Sequence, residues 1–206
     1  AGLRVGGGKS IMSIKIGNVT LNGNVTLAPM AGFGDVAFRR LCRDYGAALT
    51  TTEMISAKGL IYGSKKTVEM LRLAPNESPS CVQLFGSEPK DFLEAVSRPE
   101  LSAFDIIDIN MGCPAHKVVS NHEGSALMRD FNRASEIIKA AVSASGGRPV
   151  TVKFRAGFYD DDICAAEFAK MAEESGAAAL TVHGRTAEQG YSGFADWVII
   201  CKIASS

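Results

Sequence analysis

Ile106-Ile-Asp-Ile-Asn-Met-Gly-Cys-Pro114 is the stretch that decides the fold. Residues 106–111 are apolar almost throughout, as expected of a strand covered on both faces, and a Gly-Cys-Pro turn closes the run. The turn lifts the thiol of Cys113 out of the sheet just beyond Asn110. A cysteine packed passively in a turn has the same local signature, so the string has to be weighed with its surroundings. Five further apolar runs resemble it: Val25–Ala31, Leu49–Ile55, Cys81–Phe85, Val150–Phe154 and Ala178–His183. Amphipathic stretches separate them. Asp35 caps a helix carrying Val36, Phe38, Leu41 and Cys42, and Pro89 takes a first-turn position ahead of Phe92, Leu93 and Val96. Asn132 opens a helix bearing Ile137, Ile138 and Val142. Asp160 to Asp162 place acid at the start of a helix from Ile163 to Ser175 that Gly176 ends. Ahead of all these, residues 14–24 read as a short hairpin with an Asn-Gly turn signal.

Buried strands alternating with helices imply a parallel sheet with covered faces, either doubly wound or part of a (β/α)8 TIM barrel. No G-x-G-x-x-G follows the first strand. Polar and reactive residues instead recur at the ends of nearly every strand: Pro29-Met30, Glu53, Gln83, Asn110 and Cys113, Lys153 and Arg155, His183 and Arg185. Chemistry supplied by many strand ends is the barrel pattern. The reading is an α/β chain, an incomplete TIM barrel with about six of the eight βα units over 14–206, behind a flexible lead-in over 1–13.

Composition agrees and narrows the function classes. The chain has 206 residues, Lys+Arg 22 against Asp+Glu 22, 46% apolar residues and a mean hydropathy of +0.08. That excludes collagen-like and disordered classes, and zero net charge removes the simplest nucleic-acid signal without excluding a local basic surface. Cys42, Cys81, Cys113, Cys164 and Cys201 form no C-x-x-C pair and no even set, so a reducing, cytoplasmic setting is expected. No apolar run approaches a membrane span, and no secretory signal is evident. Gly6-Gly-Gly-Lys-Ser10 invites a phosphate-loop reading, but Walker spacing requires glycine at position 3, which is Leu3.

Lys153 and Arg155 share one side of their strand by period two, and a lysine within an apolar strand is costly to bury unless it meets an anion or polar ligand. His183 and Arg185 end the next strand; alone, His183 reads equally well as a structural imidazole. His116, three residues beyond Cys113, suggests a Cys–His thiolate pair, but its flanks Pro114, Ala115 and Lys117 look like a mobile loop.

Taken in order, Leu27-Ala-Pro-Met-Ala-Gly32, Val82-Gln-Leu-Phe-Gly86, Asn110-Met-Gly-Cys-Pro114, Val152-Lys-Phe-Arg-Ala-Gly157 and Thr181-Val-His-Gly-Arg-Thr186 closely resemble the bacterial branch of the tRNA-dihydrouridine synthase family. The resemblance covers about Ile14 to Trp197. It implies a TIM barrel that holds FMN over its strand ends, with NADPH (or NADH) as reductant and tRNA as substrate. Pro29, Met30 and Ala31 then line the flavin, Gln83 hydrogen-bonds its polar edge, Lys153 faces the negative edge of the reduced ring, and His183 contacts the ribityl-phosphate side. Hydride passes from the flavin to C6 of a uracil, and Cys113 protonates C5. A thiol with a pKa near 8.5 is protonated at neutral pH yet acidic enough to donate. Asn110 and Arg155 are the candidates for holding the base. The base is extruded from folded RNA, with Lys58, Lys65, Lys66 and Arg72 as a basic patch and 118–124 as a gating loop. No metal, membrane or stable protein partner is expected.

The family's seventh strand, eighth strand and C-terminal helical tRNA-binding domain have no counterpart, so the chain is expected to be a C-terminally truncated catalytic domain. Two alternatives remain open: another FMN-dependent barrel reductase of the dihydroorotate dehydrogenase kind, and a truncated non-catalytic paralogue.

Overall fold

The computed structural model describes residues 13–205, so the Gly6–Ser10 segment and all but Ser13 of the expected lead-in lie outside the described residues. An antiparallel hairpin, β1 (Ile14–Ile16) and β2 (Val19–Leu21), precedes a parallel sheet. Its strands are β3 (Thr26–Leu27), β4 (Leu49–Thr51), β5 (Ile55–Ser56), β6 (Ser80–Phe85), β7 (Ile106–Met111), β8 (Val150–Arg155) and β9 (Ala179–His183). The order across the sheet is β3-β4-β6-β7-β8-β9, with β5 also pairing with β6, and every one of these pairs is parallel. A doubly wound sheet reverses its strand order at a switch point. Here the order runs one way from end to end, which is the winding of a (β/α)8 barrel, and the described strands form an arc of one.

The helices are α1 (Val36–Asp44), α2 (Ala57–Ile61), α3 (Lys65–Glu69), α4 (Pro89–Val96), α5 (His116–Val119), α6 (Phe131–Ala144), α7 (Ala165–Glu174) and α8 (Trp197–Ser205). Local chemistry explains their starts. Asp35 accepts from the N–H of Phe38, Asp130 accepts from that of Arg133, and Pro89 occupies the first turn of α4. One large core lies between sheet and helices. Val82, Leu84, Ile107, Ile109, Val152 and Phe154 point outward onto Phe92, Val96, Ile137, Ile138 and Phe168. The rings of Phe154 and Phe168 stand 5.0 Å apart. A smaller cluster of Leu21, Ala48, Leu49, Cys81 and Ile106, with Ile16 and Val19 packed on it, closes the N-terminal end of the barrel interior. The hairpin is therefore a plug beneath the strands, and the opposite rim stays open.

Several boundaries differ from the expectations. The hairpin turns at Gly17-Asn18, Gly17 adopting φ +56°, and Asn22-Gly23 follows β2 instead. The run 25–31 yields only a two-residue strand because residues 28–34 leave the ladder to form the rim turn described below. The run 49–55 divides into β4 and β5. Helix α6 starts one residue early on its Asp130 cap. Helix α7 starts at Ala165, because the N–H groups of Cys164 and Ala165 are taken by the carbonyl of Ala156, folding 157–163 back as a loop. No described helix is long and apolar enough to cross a membrane.

Candidate active site

Strand register places the chemistry in levels. Gln83 stands opposite Asp108, and Asp108 opposite Thr151; one step toward the C-terminal rim, Asn110 stands opposite Lys153 and Lys153 opposite Thr181. Arg155 and His183 face each other above them. Alternate residues of a strand share a face, so Ile106, Asp108 and Asn110 point into the barrel while Ile107, Ile109 and Met111 join the outer core. A cavity of about 640 Å³ opens over these levels; its walls include Met30, Gln83, Asn110, Cys113, Lys153 and His183. Pro29, Ala31 and Arg155 line it too, so the nine residues expected to act in catalysis or to hold the flavin or the base meet at one cavity, whereas the strand-end Glu53 and Arg185 do not line it. Its size is within the range of pockets that take small molecules and cofactors.

The Cys113 turn is held from two sides. The side-chain oxygen of Asn110 accepts from the N–H groups of Gly112 (3.2 Å) and Cys113 (2.9 Å). Behind it, the carbonyl of Cys113 accepts from the N–H of Ser125 (3.0 Å). Gly124, at φ +60°, leaves the room for this contact, since a Cβ there would lie 2.7 Å from the carbonyl oxygen of Cys113. The expected gating loop is accordingly docked against the turn: Val118 and Gly124 are buried, and 116–119 is helical. His116 is exposed at the start of α5 and does not line the cavity, which removes the Cys–His pair.

The opposite wall is the turn 29–34. Its backbone closes through bonds from the N–H groups of Phe33 and Gly34 to the carbonyl of Met30. Glu53 secures it by accepting from the N–H of Gly32 at 2.7 Å. Arg155 is almost fully buried, and its guanidinium donates to the carbonyls of Gly112, Thr186 and Gly190. Most of its hydrogen-bonding capacity therefore ties the Cys113 turn to the loop after β9. Lys58, Lys65, Lys66 and Arg72 are all exposed, consistent with a basic surface beside the rim.

The titratable groups are shifted by burial and by one another. Burial raises the Asp108 carboxyl to about 6, against the hydrogen bonds from Gln83 and Thr151 and the charge of Lys153. Burial lowers the Lys153 ammonium, partly offset by Asp108. Burial, then the charges of Arg155, Lys153 and Arg185, bring His183 down to about 4, so its imidazole is neutral at pH 7. Lys153 has no hydrogen-bond partner among the described residues, although its neighbours Gln83, Asn110 and Arg155 are all engaged. A half-buried ammonium left free on a cavity wall fits an anionic or acceptor-rich ligand, as a flavin's pyrimidine edge is.

Asp108 was not singled out from the sequence for any role, nor were Phe33, Met54 and Tyr191, which also line the cavity. The signal for Asp108 was its even spacing from Ile106 and Asn110. The aromatic and Met54 positions sit in loops with no periodicity to aim them.

Comparison with known proteins gives this cavity a family. The chain is 47% identical over 191 residues to a probable tRNA-dihydrouridine synthase of Rickettsia bellii, covering 92% of this chain and 58% of the relative. It is 40% identical over 193 residues to tRNA-dihydrouridine synthase B of Xanthomonas campestris, covering 94% and 58%. It thus spans somewhat over half the length of these relatives. Among solved structures, a crystal structure of TcOYE with pHBA superposes with a TM-score of 0.66 at 11% identity, over 95% of this chain and 80% of that one. Morphinone reductase in complex with tetrahydroNAD gives 0.59 at 12%, over 84% and 73%. At such identities the likeness is one of fold, and it supports the barrel. The family model described as dihydrouridine synthase matches residues 26–206, from the first barrel strand through every motif that lines the cavity, and the chain belongs to that family.

Proposed function

We propose that this chain forms the flavin-binding catalytic part of a tRNA-dihydrouridine synthase, which reduces the C5–C6 double bond of a uridine in tRNA at the expense of NADPH. The observation that carries the reading is the unpartnered Lys153 ammonium beside Cys113 in a cavity of about 640 Å³ at the strand ends. The chemistry a bound FMN supplies is hydride, accepted from the nicotinamide and passed to C6 of the uracil. Pro29, Met30 and Ala31 hold one side of the flavin, Gln83 and Lys153 its polar edge, and neutral His183 its ribityl-phosphate side. Lys153 favours negative charge at that edge, and a fixed cation in a partly dry site stabilises charge that develops there.

Cys113 delivers a proton from Sγ to C5 of the base, and its turn presents the thiol at the rim, where an extruded base enters. Asn110 holds that turn and presents its amide to the cavity. Arg155 keeps the turn and the loop after β9 together and leaves one guanidinium nitrogen for the substrate.

Cys113→Ala tests the assignment. Dihydrouridine formation in tRNA, read as a gain of 2 mass units per uridine, is expected to fall at least about 100-fold, the usual scale of a lost general acid. Flavin reduction by NADPH should be nearly unaffected. Full dihydrouridine formation in the variant rejects the proton-donor role.

A further inference from the structure

Three strands share one continuous hydrogen-bonded path whose buried end the proposed chemistry does not use. Thr151 Oγ1 donates to Asp108 Oδ1 at 2.6 Å, and Gln83 Nε2 donates to Asp108 Oδ2 at 2.6 Å. Asn110 Nδ2 donates to Gln83 Oε1 at 2.9 Å, and Asn110 Oδ1 accepts from the N–H of Cys113 at 2.9 Å. Gln83 is fully buried, Asp108 5% exposed and Asn110 8% exposed, so the links are largely shielded from bulk solvent.

The path has a single consistent direction. An ionised carboxylate only accepts, so Gln83 must turn its NH2 toward Asp108 and its oxygen toward Asn110. Asn110 must then donate to Gln83, which leaves its own oxygen for the backbone N–H groups of the Cys113 turn. Two amides in series, each able to flip by itself, are thus set by an acceptor at one end and N–H donors at the other. Reversing either amide would bring donor against donor in a buried place, at the cost of at least one unmade bond. At the level below, Cys81 and Ile106 belong to the lower core cluster and Thr51 stands opposite Cys81, so packing alone does not call for a carboxylate at this depth.

We propose that Asp108 is a positioning residue: through Gln83 and Asn110 it fixes the orientation of both amides and thereby the placement of the Cys113 turn. The catalytic meaning of that turn rests on the function proposed above; the orientation itself does not.

Two substitutions of similar size separate the roles. Asp108→Asn keeps an acceptor for Gln83, and the Thr151 hydroxyl can reverse to accept from the new NH2, so the path survives without the charge. Asp108→Leu removes the path's anchor. The readout is amide hydrogen exchange at Cys113 by NMR in the 206-residue chain, with the Ile109 amide of the same strand as reference for general stability. In Asp108→Leu, exchange at Cys113 is expected to speed about fivefold, the factor that one hydrogen bond of ordinary net strength represents, with Ile109 unchanged. In Asp108→Asn it should stay within about twofold of the unsubstituted chain. Unchanged protection at Cys113 in folded Asp108→Leu overturns the proposal, as does an equal loss in both variants, which would make the charge the agent.

Should Asp108→Leu fail to fold, Gln83→Met cuts the middle link and keeps the carboxylate. The same fivefold gain supports the path, and no change at Cys113 overturns it. None of these readouts involves flavin or tRNA, so their failure is distinct from failure of the proposed activity. In the reaction itself, kcat is expected to fall further in Asp108→Leu than in Asp108→Asn, with KM for tRNA unchanged in both.

Discussion

Burial and partners divide the site residues into those spoken for and those left free. Gln83 is engaged by Asp108 and Asn110, and Asn110 by Gln83 and the N–H groups of the Cys113 turn, while Lys153 is left facing the cavity. The carboxyl of Asp108, raised from 3.8 to about 6, carries a pH signature. A folded-state pKa above the unfolded value contributes stability that is full below about pH 4 and is lost as pH rises through 6. Asp108→Asn, which has no charge to bury, should therefore gain on the unsubstituted chain between pH 4 and 7, by up to about 3 kcal/mol for a shift of roughly two units. Urea denaturation at both pH values measures it, and a difference independent of pH would contradict the account. At this scale much of the site was legible. Cysteine, lysine and histidine at strand ends announce chemistry by type, and all line the cavity. Arg155 was legible as a strand-end cation, but the carbonyls it serves belong to loops far off in sequence. Asp108 depends on a row, Gln83–Asp108–Thr151, that only strand register assembles.

Elements were read best where packing is strongest. Strand β7 matches its sequence pattern residue for residue, since all six positions are buried and nothing competes with the ladder. Helix α7 was extended too far at its start, because the acids at 160–162 suit a first turn as well as a loop. Asp160 instead pairs with the hydroxyl of Thr186, and the carbonyl of Ala156 captures the N–H groups that would have begun the helix. The turn carrying Cys113 depends on Gly124 for both backbone conformation and room. Gly124→Ala should lower stability by about 1–2 kcal/mol and displace Cys113, because φ +60° strains alanine and its Cβ meets the Cys113 carbonyl. Gly146→Ala is the control: its φ is +64°, but nothing lies within 4 Å of the added carbon. Both should lose stability by denaturant titration, and only Gly124→Ala should alter the rate at which Cys113 is alkylated. Equal alkylation in the two variants would show that the contact does not hold the thiol.

Across the molecule, the order of stability should follow the core. The large cluster joins β6, β7, β8 and their helices, whereas the hairpin belongs to the small one and α8 has no buried residue. Amide exchange is expected to be slowest in β6–β8 and fastest in β1, β2 and α8. Trp197, the only tryptophan, is 72% exposed at the start of α8, so its emission should change little on unfolding. The fold class was legible because strand-end chemistry repeats along the chain, and the one-way strand order then settled barrel against doubly wound sheet. Zero net charge left the RNA reading to a local basic surface and to motif resemblance, where composition alone could say nothing. The central claim is that the strand ends form a flavin site with Lys153 at its polar edge, and a titration of FMN by calorimetry tests it most directly. The account predicts binding at one site, weakened at least about tenfold by Lys153→Met, as the loss of a charge-assisted hydrogen bond implies. No binding, or equal binding to a folded Lys153→Met chain, would contradict it.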